Sequence, residues 1–436
     1  MICIKLGFAA AAVLSLLAMS VSLHAAELPG MTVPLSMGAQ AKPDTTSTQS
    51  LQALNDLHFR HFRRGFYWNK IEPAKGQYEF AEYDRIIEDA QKLDLGVVAC
   101  LFGGNTLYET DGLGGIQTEE GRRGFAAFAA ALAQRYKGKR IYWEIWNEPN
   151  VRTFWRKDGK HNTDPFAQEY TDLVKAVAPA MIKADPDCFV VAGSVSNYWE
   201  PSYQWTEFCF KKGILKTGIR GWSVHPYGTK TPEEHVIGHT RTRELLKQYG
   251  AAADFPILNT ERGFAVKKPA DNDEGWSGGS EEKALEYQSW HFVRQYMVDL
   301  MAGVRLTMWY EWQGEKFGIL EGGKERPVAG AVRVMVEQLQ GYRFDQRIDL
   351  TSPQDYALRF VNDKSGGVKI VAWTAPPAKE TPDMAQPHQV TIPVQATGSL
   401  PTVQIYGEKG AVEVNGGAIS LTISGAPQYI TVRAAK

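Results

Sequence analysis

The sequence predicts an α/β chain in which a (β/α)8 barrel is followed by an all-β sandwich. Three observations predict it. Between residues 34 and 342, short β-branched or aromatic runs alternate with amphipathic stretches, the pattern of a parallel sheet with crossover helices. Beyond residue 342 the helical period stops and apolar residues alternate with polar ones. No GxGxxG follows the first strand, which argues against a dinucleotide-binding open sheet.

The elements follow in order. Strands are expected at 33–40 (the weakest), 59–68, 95–102, 141–147, 188–195, 221–227, 256–262 and 305–312. Helical patterns lie at 80–93, 121–136, 165–184, 233–248, 281–302 and 328–340. In the tail, strands are expected at 356–361, 367–374, 389–394 and 402–406. Val412 and Val414, then Asn415-Gly416-Gly417, then Ile419, Leu421 and Ile423 read as a hairpin whose glycines supply positive φ. A Pro-rich loop at 376–387 is expected at the surface. The division that results is 27–342 for the barrel and 343–436 for a sandwich packed beside it, with a structural role favoured over sugar binding for the sandwich.

Residues 1–26 read as a signal peptide: Lys5 supplies the positive end, an apolar run follows, and Ala25 and Ala26 offer cleavage positions. The expectation is export to the periplasm or beyond, with no stable membrane insertion after cleavage. Lys and Arg total 48 against 49 acidic residues, and loss of the signal leaves 47 against 49. That balance gives no basic patch for nucleic acid and no acidic tail. Cys100, Cys188 and Cys209 remain after removal of Cys3, with no CxxC spacing, which excludes a zinc ribbon and a disulfide scaffold. A Cys188–Cys209 bond is one pairing open to them. His235 and His239 are four apart on a helix but lack the Glu of a zinc-protease motif, so a solvent-facing helix is expected and no metal.

In a barrel the chemistry belongs at the C-terminal strand ends. Strand four reads Tyr142-Trp143-Glu144-Ile145-Trp146-Asn147-Glu148-Pro149, and a period of two puts Glu144, Trp146 and Glu148 on one face with Glu148 at the mouth. A carboxyl among Trp rings would be partly desolvated and hold its proton to higher pH. Strand seven, Pro256-Ile257-Leu258-Asn259-Thr260-Glu261-Arg262-Gly263, ends its apolar run on a second carboxylate. Each alone has a structural reading, a junction cap for Glu148 and an ion pair with Arg262 for Glu261. Two carboxylates from different strand ends facing one cleft are the machinery of glycoside hydrolysis.

Trp143-Glu144-Ile145-Trp146-Asn147-Glu148-Pro149 resembles the acid/base signature of the retaining glycoside hydrolases of clan A, in particular family 39-like and family 5-like secreted bacterial enzymes. The resemblance covers about residues 34–345. It extends to the segment from Phe62 to Pro73, where Arg63 takes the place of the clan's structural Arg. His225-Pro226-Tyr227 is similar to the strand-six end, where a His or Tyr bonds the nucleophile. Trp309-Tyr310-Glu311-Trp312 is similar to the aromatic strand-eight end beneath the sugar. It implies Glu148 as acid/base, Glu261 as nucleophile and Asn147 as partner of the sugar 2-OH. Trp309 or Trp312 is implied as the stacking ring, with no cofactor and a carbohydrate substrate. Arg262 either lowers the pKa of Glu261 or points outward. Loop aromatics at Trp155, Tyr198, Trp199 and Trp205 are read equally as stacking or packing residues, and Trp276, in a Gly-rich acidic loop after strand seven, as part of a mobile rim or lid. Trp222 is read as core, and Glu144 and Glu311 as braces. The reading opposed to an enzyme is a non-catalytic carbohydrate-binding or matrix protein on the same barrel.

Overall fold

The computed structural model describes residues 27–109, 114–156, 159–266, 280–377 and 385–434. Residues 1–26, for which a signal peptide is expected, Trp276 and part of the Pro-rich loop lie outside the described residues. Eight parallel strands close into a barrel in sequence order. They are β1 (Met37–Gln40), β2 (His61–Tyr67), β3 (Gly96–Phe102), β4 (Ile141–Ile145), β5 (Phe189–Ser196), β6 (Gly221–His225), β7 (Ile257–Arg262) and β8 (Thr307–Trp309). Around them run α1 (Thr48–Asp56), the single turn α2 (Trp68–Ile71), α3 (Ala81–Lys92), α4 (Glu119–Arg135), α5 (Asp164–Ala184), α6 (Glu200–Lys211), α7 (His235–Gln248), α8 (Glu281–Met301) and α9 (Pro327–Leu339). The short hairpin β9 (Leu320–Glu321) and β10 (Lys324–Glu325) precedes α9.

Three helices were not legible in the sequence, one of them the single turn α2, whose opening residue Trp68 the expected strand 59–68 had absorbed. α1 is brief and buries Leu51 and Leu54, with Ser47 accepting from the Ser50 N–H at its start. α6 holds the aromatics Tyr203, Trp205 and Phe210, which suggested a loop, yet these rings are buried against the barrel wall. Trp155 is likewise buried and Trp222 is core, whereas Trp199 is 49% exposed. α7 corrects the expectation for its histidines. His235 and His239 are both buried, and His239 joins Tyr198 Oη at 2.7 Å and Asp299 Oδ1 at 2.9 Å, so this helix face is packed on α8 and not solvated.

The barrel interior is filled in layers. Val98, Tyr142, Phe189, Val191, Leu258, Leu306 and Met308 form an apolar plug at the N-terminal end. Gly38 makes room for Met308, because a Cβ there would lie 2.2 Å from its sulfur. Two residues further along the same inward rows, period-two alternation replaces apolar groups with polar ones. Tyr142 gives way to Glu144 and Leu258 to Thr260, and Arg63 stands in this second layer. Buried charge there requires pairing, and the site described below supplies it.

After α9 come β11 (Arg343–Arg347), β12 (Asp355–Val361), β13 (Val368–Thr374), β14 (His388–Pro393), β15 (Ser399–Val403), β16 (Lys409–Asn415), β17 (Ala418–Ile423) and β18 (Gln428–Arg433). They form one antiparallel sheet in the order β11-β12-β13-β18-β15-β16-β17-β14. The all-β sandwich expected from the sequence is present, its two layers being the halves of one curled sheet and not two separate sheets. Its ends close over a small core of Ala357, Ile370, Ala372, Ile392, Leu400, Ile419, Leu421, Ile423 and Ile430. Alternation alone cannot distinguish the two, since both bury one face of each strand.

A buried polar cluster fastens this sheet to the barrel. Arg294 of α8 reaches Glu233 at 2.8 and 2.5 Å, Trp373 Nε1 of β13 donates to the same carboxylate at 2.8 Å, and Arg294 also donates to the Gly425 carbonyl. Burial alone would raise the pKa of Glu233, but Arg294 overrides it and holds the group ionised. Glu233→Ala leaves that guanidinium buried without its carboxylate. It is expected to destabilise the protein by about 3–5 kcal/mol, read as a lower denaturation midpoint in guanidinium chloride.

Candidate active site

At the C-terminal end of the barrel, the backbone breaks its alternation to aim side chains. β4 ends at Ile145, because Trp146 (φ 72°) and Glu148 (φ 46°) adopt the left-handed region, a conformation that disfavours non-glycine residues by about 1–2 kcal/mol each. The turn sends Trp146 outward against Phe102, Phe125 and Trp155 and brings Asn147 and Glu148 over the mouth. Trp143 and Trp146 pack away from Glu148, among the aromatic rings outside the barrel strands. The neighbours of Glu148 are His225 and the hydroxyls of Ser194 and Ser196. A bulge in β5 between Ala192 and Val195 places Ser194 there. Gly193 allows it with φ 112° and a backbone so close to Ser223 that a Cβ would meet its carbonyl oxygen at 2.5 Å.

Arg63 organises the floor. Its Nε donates to Glu144 Oε2 at 2.7 Å, Nη1 to Glu261 Oε2 at 2.9 Å and to Gln40 Oε1 at 2.9 Å, and Nη2 to Asn147 Oδ1 at 2.8 Å. The last bond fixes the Asn147 amide with its NH2 turned away from Arg63. Cys100 lies beneath, its sulfur 3.6 Å from Nη2. Tyr227 Oη donates to Glu261 Oε1 at 3.2 Å. His225 Nδ1 lies 2.9 Å from Glu148 Oε1, and its Nε2 lies 3.1 Å from both Thr260 Oγ1 and Ser194 Oγ. Of the strand-six pair it is thus Tyr227 that holds Glu261, while His225 holds Glu148. One carboxylate oxygen of Glu148, one of Glu261 and a His225 nitrogen all lie within 4.8 Å of one another.

The electrostatics separate the two acids. Burial raises Glu148 to about 7, with only partial relief from Ser196 and the more distant Arg63. Burial also pushes Glu261 up, but His225, Arg63 and the Tyr227 hydroxyl oppose it, so Glu148 is the group that keeps its proton longer. Burial lowers His225 to about 4, so near neutral pH it is an uncharged imidazole and its contact with Glu148 is a hydrogen bond. Glu144, wholly buried, is held below the usual carboxylate range because Arg63 outweighs desolvation.

The site thus gathers Arg63, Asn147, Glu148, His225, Tyr227 and Glu261 in one cleft, and it corrects the placement of the aromatics. Trp309 is buried against Phe292 and His291 of α8, and Trp312 packs on Phe59 with Nε1 donating to Ser50 of α1. Both rings belong to the barrel wall. The aromatic residue of this segment whose phenol is influenced by Glu261 and Glu148 is Tyr310, the next inward position after Met308. Beyond it Glu311 pairs with Lys42 at 2.5 Å. Arg262 turns outward, its Nη2 donating to the Thr229 carbonyl and its guanidinium lying over the Tyr227 ring. Sequence reasoning missed Gln40, Ser194, Thr260 and Tyr310. For Thr260 and Tyr310, the inward row of their own strands was the available signal.

A model of the family described as Cellulase (glycosyl hydrolase family 5) matches residues 21–294, more than half of the chain. The chain belongs to glycosyl hydrolase family 5. This family 5 protein is a glycosidase on a clan A barrel. It is 23% identical over 288 residues to Endo-1,4-beta-xylanase 2 of Claviceps purpurea, a match covering 62% of this chain and 76% of that one. Its fold is shared with a family 39 glycoside hydrolase of Bacteroides cellulosilyticus WH2, at 21% identity and a TM-score of 0.72 over 92% of this chain and 81% of that one. A GH30 endoxylanase of Clostridium papyrosolvens C71 shares it at 13% identity and a TM-score of 0.62, over 94% and 99% of the two chains. Among the described residues no helix is long and apolar enough to cross a membrane.

Proposed function

We propose that this protein is a retaining β-glycosidase acting on a β-linked poly- or oligosaccharide, with Glu261 as nucleophile and Glu148 as acid/base. The observation that carries the reading is the spacing of the two carboxylates. Oxygens within 4.8 Å fit the ~5–5.5 Å separation of retaining enzymes and fall well short of the ~6.5–9.5 Å separation of inverting ones. Glu261, ionised and steadied by Arg63 and Tyr227, attacks the anomeric carbon while Glu148 gives its proton to the departing oxygen. Glu148, now ionised, takes a proton from water, and that water releases the sugar from Glu261. Asn147 is oriented by Arg63 with its donor available to a sugar hydroxyl. The xylanase relative makes a β-1,4-linked xylan the first substrate to try. Export to the periplasm or beyond belongs to the same reading, on the strength of the signal-like residues 1–26.

The test is the stereochemistry of hydrolysis followed by proton NMR on xylo-oligosaccharides and aryl β-xylosides. A β-configured first product is expected; an α-configured one overturns the assignment. A pH prediction accompanies it. Since Glu148 must enter as the acid and burial raises it from 4.5 to about 7, kcat/KM is expected to fall about tenfold per pH unit above that value. The acid limb belongs to Glu261, which must be ionised. A pH–rate profile of kcat/KM with no alkaline limb below pH 9 contradicts this.

A further inference from the structure

Thr260 stands immediately before Glu261 and points into the barrel. Its hydroxyl donates its single proton to Glu144 Oε1 at 2.7 Å, a wholly buried carboxylate that Arg63 holds ionised from the other side. Having given its proton there, Thr260 Oγ1 faces His225 Nε2 at 3.1 Å as an acceptor only. His225 must then carry its proton on Nε2. A neutral imidazole has one such proton, which makes Nδ1 an acceptor, and Nδ1 lies 2.9 Å from Glu148 Oε1. Two acceptors at that distance are compatible only if the carboxyl brings the proton. We infer that Thr260 is a positioning residue whose hydroxyl, by fixing the tautomer of His225, keeps Glu148 in the protonated form that the first step consumes. This rests on the proposed role of Glu148.

Among the described residues, further groups face this run of hydrogen bonds, including Ser223, which bonds Glu144. Arg63 of β2, Glu144 of β4 and Glu261 of β7 act on Glu148 through charge, and the Tyr310 phenol lies on the same side. Ser196 of β5 donates to Glu148. Ser194 is the rival partner of His225. Its Oγ accepts the Glu148 N–H and lies 3.1 Å from Nε2, so it can turn its own proton toward Nε2 only when Nε2 is bare. With Thr260 present, that arrangement sets two lone pairs against each other. Without it, Nδ1 is released to donate to an ionised Glu148.

The experiment combines long-range proton–nitrogen NMR of histidine-labelled protein with pH–rate profiles on 4-nitrophenyl β-xyloside. The His225 signals are assigned by their loss in His225→Gln. Wild type is expected to show the Nε2–H tautomer. Thr260→Val is expected to shift it toward Nδ1–H and to move the alkaline limb of kcat/KM down by about one pH unit, the scale of one hydrogen bond gained by the ionised form. KM should change less than twofold, and Thr260→Ser should restore both the tautomer and the limb. An Nδ1–H tautomer in wild type overturns the inference without any variant. So does a folded Thr260→Val protein with unchanged tautomer and limb. The spectra need no substrate: failure of the glycosidase reading appears as absent hydrolysis with the tautomer intact, failure of this one as the wrong tautomer in an active enzyme.

Discussion

Glu261→Ala is expected to lower kcat on xylan or an aryl β-xyloside by on the order of 10⁵–10⁶-fold, the scale of deleting a covalent nucleophile. Glu148→Ala should cost about 10²–10⁴-fold, the range of a general acid–base group. The two losses should differ in kind as well as size. An aryl leaving group of low pKa needs little protonation, so Glu148→Ala should retain far more activity on 2,4-dinitrophenyl glycosides than on xylan. Added azide should accelerate it and yield a glycosyl azide of retained configuration. In Glu261→Ala, azide can only take the place of the missing carboxylate, and the azide product is inverted. Both substitutions remove a carboxylate that Arg63 or His225 otherwise satisfies, so sugar binding should be measured alongside by calorimetry. Near-wild-type turnover in both variants would overturn the assignment, and equal loss on every leaving group would remove Glu148 from the acid role.

Arg63→Met is expected to be strongly destabilising. One guanidinium serves Glu144, Glu261, Asn147 and Gln40, and Glu144 has no access to water. Removing it leaves a buried carboxylate uncompensated, at about 3–5 kcal/mol. The sign with pH distinguishes this from simple loss of packing. In the wild type, Glu144 has a folded pKa below its ordinary 4.5, so its contribution is fully present above that pH and fades as pH falls through the lowered value. Without Arg63 the largest influence opposing burial is gone, lesser ones such as the hydrogen bond from Thr260 still favour the ionised form, and Glu144 shifts toward its protonated form. The stability gap between wild type and Arg63→Met should therefore narrow as the pH is lowered, starting above 4.5 where Glu144 of the variant takes up its proton and continuing below 4.5 until the wild-type carboxylate is protonated too. Thermal denaturation across pH 3–8 measures it. A gap independent of pH would assign the loss to volume alone. Adding Glu144→Gln should recover part of the stability, since the stranded charge is gone.

Most of the barrel could be read from the sequence because its strands are short apolar runs bounded by turn residues, and its long helices carry a 3.6 period. The limits of that reading were local. α6 was hidden by its own aromatics, and α7 looked solvated because two histidines on a helix count as polar until their partners Tyr198 and Asp299, distant in sequence, are in place. At the site, Glu148 and Glu261 were legible as carboxylates at strand ends, but Glu148 was assigned to the wrong surroundings. Periodicity extended β4 to the acid, whereas the left-handed residues at 146 and 148 end the strand first and turn the Trp rings away. The same lack of register put Trp309 and Trp312 beneath the sugar when only Tyr310 follows the inward row. The C-terminal sandwich was legible as all-β, while its construction from one curled sheet was not, because alternation does not encode which strands share hydrogen bonds.

The three thiols have a chemical consequence for the whole chain. Cys100, Cys188 and Cys209 are unbonded and buried, on β3, at the entrance to β5 and in α6. Burial pushes all three away from the thiolate, Cys188 up to about 12, and for Cys100 it outweighs even the adjacent Arg63. The thiolate is the species that reacts with peroxide, disulfides or alkylating agents. Among the described residues these three thiols therefore offer oxidants almost no thiolate to attack, and folding awaits no oxidation step among them. Oxidation or alkylation at these positions has to wait until the wall of the barrel opens, which ties the chemical lifetime of the three thiols to the mechanical integrity of the barrel.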